Sequence, residues 1–125
     1  MKSLSDIFTR IRNGQIVYKT FIIIPSVNIC LKVLNIIWDE GFIQGYSRSK
    51  NNEIYIILRY INGRPAIRQL TAVSRPSQRI YISSLDLCRL KPNLGLLILS
   101  TPKGIMNMED AIYQTQGGEV LCYIV

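Results

Sequence analysis

QIVYKTFIIIPSVNICLKVLNIIWDEG, residues 15–41, changes its apolar period midway, and that change decides the fold. Its first ten residues form a β-branched and aromatic run that predicts a buried strand, closed by Pro25, which has no amide to give a sheet. Ser26 is placed to cap a helix. From there Ile29, Val33, Ile36 and Ile37 recur at helical spacing, with Leu34 and Trp38 widening the stripe, until Glu40 and a stop at Gly41. Upstream, SLSDIFTRIRNG sets Leu4, Ile7, Phe8 and Ile11 on one helical face, with Ser3 as cap, Asp6 three residues on and Asn13-Gly14 as stop. Arg10 and Arg12 lie off that stripe near the helix end, where cations complement the dipole. Downstream, FIQGYS and EIYIILRY form a hairpin across RSKNN.

Beyond the turn NGRP the character shifts. AIRQLTAVS and QRIYIS are strand-like with SRPS between them; SLDLCRL is a short segment and KPN a turn. LGLLILS is a strand, MEDAIYQT a helix, and EVLCYIV alternates into a last strand. The pattern predicts an α+β fold of two small packed modules: 1–61, helix, strand, helix and hairpin, and 62–125, mostly β with short helices.

Length and composition narrow the function. The chain has 125 residues, 48% of them apolar, enough for a real core. Its uncharged apolar runs fall short of the roughly 18 to 20 residues a membrane span needs, so no membrane partner is expected. Apolar residues near the start are committed to the first helix, so no leader is expected there either. The formal charge is +7, concentrated in 59–91, where Arg59, Arg64, Arg68, Arg75, Arg79, Arg89 and Lys91 face the single acid Asp86. Arginine forks suit phosphate, although a solvated basic face also explains the charge. Cys30, Cys88 and Cys122 sit in apolar context and read as small core residues, not as a disulfide frame or metal site. Histidine is absent, which removes the commonest base and metal ligand, and no glycine-rich phosphate loop occurs. No catalytic residue, metal, cofactor or small-molecule substrate is expected.

Three stretches carry more polar detail than folding needs. VSRPSQRIY sets Arg75 and Arg79 around a rigid turn beside Tyr81, suited to phosphate and stacking, or simply to a basic turn. STPKGIMNMED gathers Ser100, Thr101, Pro102, Lys103 and Gly104 ahead of a helix, either as a contact surface or as a cap. GGEVLCYIV lets the chain pass close to a neighbour and sets Glu119 to accept from a base amino group or to pair within the protein.

Taken together, DIFTRIRNGQ, EGFI, VSRPSQRIY, STPKGIM and GGEVLCYIV resemble, in order and spacing over nearly the whole chain, small-subunit ribosomal protein eight of bacteria and organelles. The resemblance implies a structural protein that binds the central domain of small-subunit rRNA directly, helps to assemble it, and neighbours other small-subunit proteins. It implies a contact loop at Ser100, Thr101, Pro102, Lys103 and Gly104. Arg75, Arg79, Tyr81 and Glu119 would form the adjoining face, with Thr9, Arg10, Arg12 and Asn13 of the first helix as further contacts. Shape, 2′-hydroxyls and unstacked bases are what a protein reads on irregular RNA, which favours short hydroxyls and close backbone approach. Pro102 stands where the family has serine, Ser77 where it has glycine, and Glu109 and Ile112 where it has arginine. These departures and the isoleucine content point to a drifted copy in a mitochondrial ribosome, with a plastid or bacterial cytoplasm as alternatives. Outside the family, a scaffold using its basic face on an acidic partner is the competing function.

Overall fold

The computed structural model describes residues 2–74, 77–90 and 95–125, in two compact units, Ser3–Arg68 and one built on Gln69–Val125. The fold class is α+β. Arg75 and the KPN turn lie outside the described residues.

The first unit runs α1 (Lys2–Ile16), β1 (Phe21–Pro25), α2 (Asn28–Asp39), β2 (Ile43–Arg48), β3 (Glu53–Leu58), β4 (Tyr60–Ile61) and β5 (Arg64–Pro65). β1, β3 and β2 form an antiparallel sheet in that order, and β4 with β5 a separate small hairpin. Period two sorts the strands: Ile22, Ile24, Ile54 and Ile56 are buried, while Phe21, Ile23 and Ile57 face outward. Phe8 and Ile11 of α1 and Leu34 and Ile37 of α2 are buried too. Each such side chain contributes about 1.5–3 kcal/mol by leaving water.

Two boundaries differ from the sequence expectation. α1 passes through Asn13-Gly14, because Gly14 marks a close crossing: a Cβ there would lie 2.7 Å from Cγ2 of Ile22 and 3.3 Å from Cδ1 of Leu58. The stop comes at Tyr18, at φ 57, where the amides of Tyr18 and Lys19 donate to the carbonyls of Gln15 and Gly14 at 3.1 and 2.9 Å. The Tyr18 ring stacks on Tyr60 at 5.4 Å, and the Tyr60 hydroxyl donates to the Lys19 carbonyl at 2.6 Å. Residues 15–20 therefore close a helix instead of opening a strand. The helix also begins one residue before the serine expected to cap it. Ser26 does not cap α2; Val27 occupies that position without a side-chain bond, and the Ser26 amide donates instead to the Asn52 carbonyl at 2.8 Å.

The second unit runs β6 (Leu70–Ala72), β7 (Tyr81–Ile82), α3 (Ser84–Arg89), β8 (Leu96–Thr101), β9 (Gly104–Asn107), α4 (Met108–Tyr113) and β10 (Gly118–Ile124). β10 is central, pairing β6 and β7 in succession on one side and β8 on the other, with β9 outside β8. Leu99, Met106 and Val120 cluster with Leu87 of α3 and Met108 and Ala111 of α4. One face of the sheet is thereby committed to the two helices.

The cysteines divide. Cys30 and Cys122 are buried as expected, whereas Cys88 is exposed on α3, one residue past the buried Leu87 and so off the inward face. Burial pushes the Cys30 thiol up to about 11 and that of Cys122 up to about 12. Both folded values exceed the ordinary 9.0, so unfolded thiols ionise first and stability is lost as pH rises from about 9 towards 12. Iodoacetamide at pH 8 should label Cys88 alone in the native protein and all three cysteines in denaturant, read by mass spectrometry. Native labelling of Cys30 or Cys122 would contradict their burial.

Candidate nucleic-acid interface

The STPKGIM stretch is a β-hairpin. Thr101 pairs with Gly104 across Pro102 and Lys103, so the segment continues as β9 before any helix begins. Proline fixes its own φ at the start of this turn. The Thr101 hydroxyl donates to the Gly104 carbonyl at 2.8 Å and accepts from the Lys103 amide at 3.2 Å. It is buried and braces the turn, while Ser100 is half-buried with no side-chain partner among the described residues. The following helix is capped by Asn107, whose Oδ1 accepts from the Asp110 amide at 2.8 Å. The Asp110 amide is therefore taken up by the cap and does not serve the hairpin tip.

Strand register assembles the rest. Glu119 lies opposite Tyr81 on one side and Ser100 on the other, and Ser100 lies opposite Ile105. Directly opposed residues share a face, so Tyr81, Glu119, Ser100 and Ile105 form one row. Their neighbours Val120, Leu99 and Met106 point to α3 and α4, which leaves the row on the face turned away from those helices. Two glycines make the row possible: a Cβ on Gly118 would lie 2.2 Å from the Ser100 carbonyl oxygen, and one on Gly117 2.5 Å from that of Ile82.

Charge enters from the preceding loop. Arg79 Nη1 stands 3.9 Å from Oε2 of Glu119. Glu119 is only 8% exposed, and its other oxygen, Oε1, is buried without a hydrogen-bond donor. Tyr81 beside it is 68% exposed, an open aromatic face. Ser74, which sequence reasoning passed over, fixes this arrangement: its hydroxyl accepts from the Ile80 amide at 3.0 Å, and the Ile80 carbonyl accepts from the Val120 amide at 2.9 Å. Its signal in the sequence was a serine immediately before the basic stretch.

The α1 residues belong to the first unit and are engaged there. The Thr9 hydroxyl donates to the Ser5 carbonyl at 2.9 Å and accepts from Arg12 Nη2 at 3.3 Å. Arg10 ties the helix to β1, its Nη1 donating to the Ile23 carbonyl at 3.1 Å and its Nε lying 3.5 Å from Asp6. Asn13 is exposed. Among the described residues no group of His, Cys, Asp and Glu side chains is arranged to hold a metal, and no helix is long and apolar enough to cross a membrane.

These features define a small α+β protein that presents a polar, cationic and aromatic surface on one face of its second sheet. Residues 2–125 match the model of a single family, ribosomal protein S8. Similar proteins named small ribosomal subunit protein uS8 include those of Paramagnetospirillum magneticum, 42% identical over 97% of this chain and 95% of its own length, and Zymomonas mobilis, 41% identical with the same coverage. A third, from Brucella anthropi, is 42% identical, again over 97% and 95%. The chain belongs to the ribosomal protein S8 family. These relatives are bacterial, which fits the bacterial alternative and lends no support to the mitochondrial setting.

Proposed function

We propose that the chain is a structural constituent of the small ribosomal subunit that lays the Tyr81–Glu119–Ser100 row and the adjoining hairpin against the central domain of the rRNA and helps that domain assemble. It works among neighbouring ribosomal proteins in a ribosome of bacterial type, without catalysis. The observation that carries the reading is Glu119: a carboxylate held nine-tenths buried, one oxygen lacking a donor, between an exposed tyrosine and a serine hydroxyl with no partner among the described residues. Such an oxygen accepts well from a base amino group or a 2′-hydroxyl. Arg79, with Arg75 four residues before it in the sequence, supplies phosphate contacts that fix register and add salt dependence. Lys103 adds charge at the exposed tip. Arg12 and Asn13 on α1 are further contacts, with Thr9 bonded to Arg12 and Arg10 tying the helix to β1.

The test is binding of the full chain to a central-domain RNA fragment. Changing Ser100 and Thr101 together to alanine is expected to abolish tight, site-selective binding. Ser100→Ala alone should weaken it about fivefold with melting unchanged. Arg79→Gln should weaken binding across sequences and reduce the slope of affinity against salt by about 1. Equal binding by the double variant would remove the hairpin from the interface.

A further inference from the structure

A recess with apolar walls and a few polar groups at its edge lies wholly within Ser3–Arg68. It holds about 340 Å³ and is lined by Arg12, Gln15, Tyr18, Ile67 and Arg68, among others. The helix closure at Tyr18 and the return of the chain after β5 shape it. Gln15 is 6% exposed, and its amide nitrogen Nε2 is buried with no acceptor. A buried donor left unsatisfied is costly and uncommon in a native fold. Among the described residues no acid lines the recess, although two arginines do. Tyr18 stacks one face on Tyr60 and is otherwise 59% exposed.

We propose that this recess holds one nucleotide of an RNA, its phosphate on Arg12 and Arg68, an acceptor of the same nucleotide on the Gln15 amide, and its base beside Tyr18. Two guanidinium forks match phosphate geometry, a neutral amide donor suits a base carbonyl or ribose oxygen, and an aromatic wall suits an unstacked base. An acidic peptide would engage the arginines and could accept from the amide, but it offers no planar base for the Tyr18 ring. The inference rests on the RNA-binding reading and extends its α1 contact, Arg12, into a defined nucleotide site with Gln15, Tyr18 and Arg68.

The experiment uses the full chain and the central-domain RNA fragment. Arg68→Gln should lower the slope of affinity against salt by about 1. Gln15→Met should weaken binding about tenfold while leaving the melting temperature of the free protein unchanged or higher, since it removes an unsatisfied donor. Ultraviolet crosslinking should join Tyr18 to RNA. Wild-type affinity and slope in Arg68→Gln, or a Gln15→Met protein that melts lower yet binds RNA as before, would overturn the site, as would crosslinks from Tyr18 to protein only. Loss from the Ser100 and Arg79 variants alone would sink this recess and leave the hairpin interface standing. Failure of the wild-type chain to bind the fragment would sink both.

Discussion

Gly118→Ala is expected to destabilise the second unit by about 3 kcal/mol, the upper end of the usual cost of overpacking. The added Cβ would lie 2.2 Å from the Ser100 carbonyl oxygen, 2.9 Å from its carbonyl carbon and 3.1 Å from Cα of Thr101. All three are backbone atoms, so no rotamer change can move them aside. Relief requires β10 to part from β8 at the Glu119–Ser100 pair, in the most heavily paired strand of the sheet. In a unit of this size the loss corresponds to a fall in melting temperature of roughly 12–24 °C. Thermal and urea denaturation followed by circular dichroism give the value, with Ser100→Ala as the neighbouring control. A cost below about 1 kcal/mol would mean that the two strands separate easily and that the close approach holds nothing in place.

That close approach explains why the fold was easier to read than the site. The apolar β-branched runs FIII and EIYIIL, and helical recurrence in ICLKVLNII, are local signals, and the structure carries the corresponding β1, β3 and α2. The errors arose where tertiary contact overrode local preference. Asn13-Gly14 looked like a stop, but Gly14 was needed small inside the helix, and a tyrosine in a left-handed conformation ended it instead. STPKGIM looked like the approach to a helix because its strand β9 is only four residues long and pairs at the sheet edge. Motif spacing identified the residues of the candidate face without showing their division of labour. That Thr101 braces the turn while Ser100 takes no part in it depends on hairpin register, and that Glu119 faces both Tyr81 and Ser100 depends on β10 having a partner on each side. Neither can be read along one strand.

Glu119→Leu separates the two remaining roles of that carboxylate, because it should move stability and binding in opposite directions. In the free protein the group is a buried charge with one distant cationic neighbour and an oxygen lacking a donor. Replacing a poorly compensated buried ion by an apolar side chain of similar volume is commonly neutral or stabilising. Denaturation should therefore show a second unit as stable as the wild type, or more so. RNA affinity should fall by about 10- to 100-fold, the range for losing a hydrogen bond to a charged acceptor. Glu119→Gln keeps an uncharged acceptor and should lie between the two. If Arg79 pairing were the whole purpose of Glu119, the leucine variant would lose stability and bind RNA almost as before. That result would reassign the carboxylate to the protein's own architecture and leave Ser100 and Tyr81 as the only contacts of the row.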